Sequence, residues 1–343
     1  MNPDSKKRGL GQYFTKGSVW MKDNIRNFIL ESQCSVVYDP FAGSGDLLKA
    51  VQNLGYRNFR GMDIDESLGW EFNDSLSGIP TVQNAIIVTN PPYLSNYSAK
   101  RRHIYGRVKH YFEQTRFDDL YLLALSKMLE AQEYVVAIVP ETFVNSPFPK
   151  ERLYSINILE ENPFTETESP VCVACFDGIS KPPQNVKVYK NGHYSSTLGD
   201  LEAKRLHPSN EMRIRFNSTI GNIGLRAVDT TDPSRKIRFT KRDELDYDMS
   251  KIKASSRIIT VIDAEIPDGI LQPFIEACNQ ILEKYRKDTD DILLSPFKGN
   301  MKNGIRRRRL DYYTCRAIME IAYKSIVSPT ETEGNCNLHL IQA

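Results

Sequence analysis

Between residues 35 and 140, short apolar runs rich in β-branched residues alternate with stretches whose apolar positions recur every three or four residues. The runs Ser35–Asp39, Phe59–Asp63, Ala85–Thr89 and Tyr134–Val139 read as strands, and prolines at 40, 91–92 and 140 stop three of them. Asp46–Leu54 and Leu120–Glu130 carry helical periodicity. Runs that stay apolar at every position, each followed by a crossover, predict a parallel sheet buried on both faces. Ligands of such sheets bind beyond the carboxyl ends of the strands, so the informative residues should follow each strand. Val171–Phe176 is a further predicted strand. Beyond Lys181-Pro182-Pro183 this rhythm is lost. Candidate strands at Val186–Tyr189, Arg213–Phe216 and Arg257–Ile262 mix there with helical patterns at Leu271–Lys287 and Cys315–Ile326. The reading is therefore two domains, residues 1–180 and 181–343.

A length of 343 residues, with 40% hydrophobic and 26% charged, agrees with two globular domains. No apolar run approaches the ~18 residues of a membrane span. The N-terminal segment has no apolar stretch behind its basic residues, which predicts a cytoplasmic protein. The six cysteines are scattered. Cys172 and Cys175 fall three apart within one predicted strand and so point to opposite faces, which suits buried thiols rather than a metal site. No metal site is expected. Residues 181–343 hold 27 Lys and Arg against 21 Asp and Glu, whereas residues 1–180 hold 18 against 22. A basic half joined to a mildly acidic one suits an enzyme with a separate polyanion-gripping domain.

The first strand runs into Asp39-Pro40-Phe41-Ala42-Gly43-Ser44-Gly45-Asp46. Glycines at 43 and 45 allow a sharp turn and close approach to a ligand. A dinucleotide fingerprint needs a third glycine where Leu48 stands, and Asp46 would repel a pyrophosphate at the helix start. Asp63 ends the second strand, about where a carboxylate grips ribose hydroxyls. A nucleoside ligand without phosphate, carrying positive charge, fits both conditions; S-adenosylmethionine is such a molecule. The third strand leads into Asn90-Pro91-Pro92-Tyr93. Consecutive prolines remove N–H donors, Asn90 adds a carbonyl acceptor and Tyr93 an aromatic face. The set suits the NH₂ group of a flat ring, its hydrogens accepted by Asn90 Oδ1 and the Pro91 carbonyl.

In these motifs the chain resembles the amino-methyltransferases of DNA, specifically the gamma-class adenine-N6 methyltransferases of type II restriction–modification systems. The resemblance covers residues 9–180. Gly11-Gln12-Tyr13-Phe14-Thr15 resembles the segment that closes over the cofactor's methionine part. Asp39–Gly45 resembles the family's first motif, and Gly61-Met62-Asp63-Ile64-Asp65 its ribose-binding motif. Asn73-Asp74-Ser75-Leu76 resembles the segment whose acid, Asp74 here, bonds the adenine amine of the cofactor. Asn90–Tyr93 matches the catalytic tetrad, with Asn90 also bordering the cofactor. Phe164, ahead of the Val171–Phe176 strand, resembles an aromatic that stacks on the target base opposite Tyr93. The resemblance implies a doubly wound, mainly parallel, Rossmann-like methyltransferase sheet with a smaller mixed α+β DNA-recognition domain. It also implies S-adenosylmethionine as cofactor, a flipped adenine in double-stranded DNA as substrate, and protection of host DNA. The enzyme is expected to be a monomer, with any cognate endonuclease sharing the target site and not necessarily a physical partner. No group with a pKa near 7 stands in the motifs, so no strong general base is expected.

Two basic clusters in the second half are candidate DNA contacts: Lys298, Lys302 and Arg306-Arg307-Arg308-Arg309, and Arg235, Lys236, Arg238, Lys241 and Arg242. The main rival readings keep the fold and change the substrate. Protein-glutamine methyltransferases share Asn-Pro-Pro-Tyr but carry a domain ahead of the first motif, whereas here 38 residues precede Asp39 and residues 181–343 follow. RNA methylation and cytosine-N4 methylation are lesser rivals, and Asn rather than Ser at position 90 favours adenine. A vestigial, purely DNA-binding fold would have lost a tetrad or glycine-turn residue, and none is lost.

Overall fold

The structure is a computed structural model in which residues 17–165, 167–247 and 258–327 are described. The chain divides into two compact units, residues 1–199 and 200–343.

The first unit is built on a nine-stranded sheet of order β3-β2-β1-β4-β5-β7-β6-β8-β9. Its strands are β1 (Val36–Asp39), β2 (Asn58–Asp63), β3 (Glu71–Phe72), β4 (Ala85–Thr89), β5 (Tyr134–Pro140), β6 (Leu153–Leu159), β7 (Val171–Phe176), β8 (Lys187–Lys190) and β9 (His193–Thr197). The strands β3, β2, β1, β4 and β5 pair in parallel; β7 runs antiparallel to both β5 and β6. The helices are α1 (Gly17–Trp20), α2 (Asp23–Glu31), α3 (Asp46–Gln52), α4 (Asn96–Arg101), α5 (Tyr105–Glu113) and α6 (Leu120–Ala131). This is a mixed α/β fold with a mostly parallel central sheet.

Both faces of the central strands are buried, as continuous apolar strands require. Val37, Ile86, Val88, Val136 and Ile138 pack with Trp20, Phe28, Leu47 and Leu48. Their neighbours Tyr38, Ile87, Val135 and Ala137 point the other way and are equally buried. Cys172 and Cys175 sit on opposite faces of β7, both buried, and burial pushes the Cys175 thiol up to about 12. They are core residues.

Strand order fixes where a ligand can enter. From β1 the chain moves to β2 and β3 on one side, then returns to β4 and β5 on the other. The crevice at this reversal opens beyond the carboxyl ends of β1 and β4. The sheet also corrects the boundary read at residue 180. The prolines at 182 and 183 open a single 3₁₀ turn, Pro183–Asn185, and β8 then pairs in parallel with β6. A proline pair marks a change of direction, and here the chain turns back into the same sheet.

After α7 (Leu198–Ala203), the second unit holds the antiparallel sheet β10-β13-β11-β12, made of Ile214–Phe216, Ile259–Ala264, Ile223–Arg226 and Arg238–Lys241 in that spatial order. A hairpin of β14 (Ser295–Asn300) and β15 (Arg306–Arg309) and the helices α8 (Leu271–Asp288) and α9 (Tyr312–Val327) complete it. Among the described residues, no helix is long and apolar enough to cross a membrane.

Candidate active site

A cleft of about 620 Å³ opens at the reversal point. Each contributing strand supplies its following residues: Pro40 and Phe41 after β1, Asp63 and Ile64 at β2, Asn73–Leu76 after β3, Asn90 and Pro92 after β4. Val108 and Tyr111 of α5, with Leu120, form the remaining wall. Among the described residues, the lining holds two carboxylates, Asp63 and Asp74, and no Lys, Arg or His. Such a wall repels phosphate and favours a cationic or neutral guest.

The structure thus brings Pro40, Phe41, Asp63, Ile64, Asp74 and Asn90 to one cavity. Asp63 Oδ2 accepts the Gly43 N–H and Oδ1 the Asp65 N–H, both at 2.9 Å. A carboxylate has about four acceptor positions, so two remain for ligand hydroxyls. Asp74 Oδ2 accepts from the Tyr111 hydroxyl at 3.0 Å and from Ser77 Oγ at 2.6 Å. Burial and the neighbouring Asp74 charge push the Tyr111 phenol up to about 12, so it stays a donor. Ile64 is 46% exposed at the cleft, a flat apolar surface of the kind on which a purine stacks.

Other expected residues support the cleft without lining it. Asp39 is buried and accepts from the Phe41 N–H at 3.0 Å and the Thr89 hydroxyl at 2.6 Å, tying the ends of β1 and β4 together. Burial first, and then the Asp63 charge, raise its pKa to about 7. Gly43 and Gly45 adopt left-handed backbone, φ +53° and +77°, and the turn is as tight as their pairing predicts. The close approach at Gly45, however, is made by Trp70, not left open. A Cβ at Gly45 would stand 2.9 Å from the indole, and one at Gly61 would clash with it. Trp70 Nε1 donates to the Gly43 carbonyl at 2.8 Å, closing the turn from above. Sequence reasoning missed Trp70, although Gly61 inside a strand is a signal of close approach. It also missed Ser75, whose hydroxyl donates to the Pro40 carbonyl at 2.6 Å, and the α5 wall.

At the tetrad, the Tyr93 hydroxyl lies 2.5 Å from Asn90 Oδ1 and 2.8 Å from the Ile138 carbonyl. At 2.5 Å the first contact has the length of an O–H···O bond, so the hydroxyl donates to Asn90 Oδ1, with the Ile138 carbonyl a second acceptor for the same proton. The other lone pair of Asn90 Oδ1 is left for a ligand. Pro91 is buried and absent from the cleft wall, while Pro92 lines it. Tyr93 meets Tyr121 and Phe164 edge-on, with centroids 6.4 and 6.2 Å away. Phe164 is buried, and its ring is tilted 67° to Tyr93. Rings in edge-to-face contact leave no slot between them, so the expected sandwich of a base by Tyr93 and Phe164 is absent in this conformation. Tyr13, Phe14 and Thr15 lie outside the described residues.

In the second unit the arginine run forms strand β15, and strand alternation divides it. Arg306 and Arg308 are 1% exposed, while Arg307 and Arg309 are half-buried. The expectation of a four-arginine surface is corrected by the period of two. The strand is anchored by Asp229, itself fully buried, which accepts the Arg308 N–H at 3.0 Å and the Arg286 guanidinium at 2.8 and 2.9 Å. Arg307 Nε donates to the Asp229 carbonyl at 2.8 Å. Lys298 and Lys302 are exposed, as are Lys236 and Arg238; Lys241 and Arg242 are half-buried, and exposed Arg235 pairs with Asp246. Among the described residues no group of His, Cys, Asp and Glu could hold a metal ion.

No protein-family model and no curated protein matches the chain. Several solved structures resemble it at low identity. A proposed class I S-adenosylmethionine-dependent methyltransferase from Listeria monocytogenes is 16% identical, over 54% of this chain and 68% of that one, with a TM-score of 0.37. A type I restriction–modification methyltransferase subunit from Streptococcus thermophilus is 15% identical over 52% of this chain, with a TM-score of 0.35, and the match spans half of that subunit. The M protein of the type I restriction enzyme EcoKI is 13% identical, over 88% of this chain and 69% of its own, with a TM-score of 0.33.

Proposed function

We propose that the chain is an S-adenosylmethionine-dependent DNA methyltransferase that modifies N6 of an adenine turned out of the duplex. The observation that carries this reading is the cleft, where, among the described residues, two carboxylates and no cation face a space bordered by Asn90. Asp63 would hold the ribose hydroxyls, Asp74 the adenine amine of the cofactor, and Ile64 and Phe41 the faces of its purine. When bound, the cofactor supplies an electrophilic methyl group; its transfer breaks the carbon–sulfur bond and leaves the electron pair on sulfur. Asn90 Oδ1, held on one lone pair by the Tyr93 hydroxyl, would accept a hydrogen from the target amine on the other and favour the pyramidal, nucleophilic form of that amine. The amine proton is then lost to water, since no group of the tetrad is a strong base. The target ring would stack on one face of Tyr93, with Phe164 bracing that tyrosine from its edge. Positioning of donor and amine accounts for most of the acceleration. The second unit would grip the duplex through exposed Lys236, Arg238, Lys298 and Lys302, and host protection in a restriction–modification system is the corresponding biological role.

The test is transfer of tritiated methyl to mixed unmethylated DNA, followed by nucleoside analysis. Label in N6-methyladenine is expected. Label in protein or RNA with none in DNA would overturn the substrate, and label in N4-methylcytosine would overturn the base.

A further inference from the structure

Among its described residues, the acidic unit carries a strongly basic surface that flanks the cleft. Five of the 18 Lys and Arg among residues 1–180 fall between Asn96 and Phe112, with no Asp or Glu among them: Lys100, Arg101, Arg102, Arg107 and Lys109. His103 and His110 add two further imidazoles. All seven are exposed. Lys109 pairs with Glu113 at 2.9 Å; among the described residues, Lys100, Arg101, Arg102 and Arg107 have no carboxylate within ion-pair distance. Two cations lie over tyrosine rings instead, Lys100 on Tyr105 at 4.9 Å and Arg101 on Tyr97 at 5.9 Å, and Tyr97 is itself 66% exposed. Unneutralised like charges crowded on two short helices repel one another, so an outside polyanion would relieve a real electrostatic cost.

The placement is fixed relative to the tetrad. Only Leu94 and Ser95 separate Tyr93 from α4, and Leu94 is buried. Ser95 Oγ caps α4 by accepting the Ser98 N–H at 3.1 Å. The Asn96 N–H donates to the Asp118 carbonyl at 2.8 Å and the Leu120 N–H to the Leu94 carbonyl at 3.0 Å, clamping the segment to the start of α6. Val108 and Tyr111 on the inner side of α5 line the cleft, while Arg107 and His110 beside them are exposed. The basic surface therefore stands about one helix diameter, ~10 Å, from the cavity. A base delivered to Asn90 stays bonded to its own sugar, whose two phosphates must then lie at the cleft mouth.

We propose that the α4–α5 surface, through Lys100, Arg101, Arg102 and Arg107, binds the duplex phosphates on either side of the extruded nucleotide. This deepens the proposed function and rests on it. Phosphate capture by the catalytic unit holds the flipped strand, and it is independent of base sequence because no base edge is read.

The test measures binding of the full chain to random-sequence duplexes of about 30 base pairs across a salt series. The wild type is compared with the combined Lys100→Gln, Arg101→Gln, Arg102→Gln, Arg107→Gln variant. Removing one cation that neutralises a phosphate makes the slope of log affinity against log salt shallower by about 0.9, so a change of up to about 3.6 is expected for the four. S-adenosylmethionine binding, which uses the inner side of the same helix, should be unchanged and reports that α5 is intact. An unaltered slope in a wild type that does methylate DNA overturns this proposal alone. A wild type that neither binds nor methylates duplex DNA overturns the reading beneath it. A slope change seen with single-stranded RNA but not with duplex also overturns the proposal.

Discussion

The ends of β1 and β4 lie side by side in the same sheet and have opposite characters. Beyond β1, polar groups are committed to one another: Asp39 holds Phe41 and Thr89, and Trp70 covers the glycine turn. Beyond β4, among the described residues, Asn90 Oδ1 accepts only the Tyr93 hydroxyl, and the residue lines an open cleft. Motif residues that look alike in the sequence therefore divide into those that build the cavity and those that face it. Substitutions at the first set should change stability, and those at the second should change chemistry.

Asn90→Ala gives the largest expected effect, a loss of at least about 10²–10³ in the methyl-transfer rate, the scale of removing one preorganised polar partner from a reacting centre. Its melting temperature should stay close to that of the wild type. A large drop in melting temperature would erase the distinction between the two strand ends. On the β1 side, Gly61→Ala places a methyl group against the Trp70 ring and should cost about 1–3 kcal/mol, read from urea unfolding. An unchanged midpoint would mean that Trp70 does not pack the turn.

Asp39 makes a pH-dependent prediction. Its folded pKa, about 7, lies above its ordinary 3.8, so the folded protein keeps a proton that the unfolded chain loses. Its contribution to stability therefore falls as pH rises from about 4 to about 7 and is level outside that window. Asp39→Asn should remove this component, seen as a flatter melting temperature against pH than in the wild type. Equal slopes would place the carboxylate in a more polar setting than its burial indicates. Smallest of all, replacing Lys100, Arg101, Arg102 and Arg107 by Gln should change stability by less than about 0.5 kcal/mol per position, as for exposed residues generally. A loss of several kcal/mol would show that these residues are structural, as Arg306 and Arg308 are by burial.

The parts of the fold legible in the sequence are those where burial on both faces leaves a continuous apolar run. β1, β4, β5 and β7 are readable for that reason. Strand β15 is not, because four consecutive arginines look solvated until strand alternation buries two of them. The segment 181–199 reads as the far side of a linker because a proline pair marks a turn equally well inside a sheet and between domains. At the site, glycines and acids after each strand are visible as a set. Which acid faces the cavity depends on Trp70 and Tyr111, and these reach the site from β3's approach and from α5 with no local signal beyond Gly61.

The central claim is that the cleft between the ends of β1 and β4 takes a phosphate-free cationic nucleoside. Titration calorimetry with S-adenosylmethionine, on the wild type and on Asp74→Ala, tests it most directly. Saturable one-site binding by the wild type, weakened about tenfold or more in a variant that melts normally, is the predicted result. Equal binding by both proteins, or no binding by the wild type, would contradict the claim.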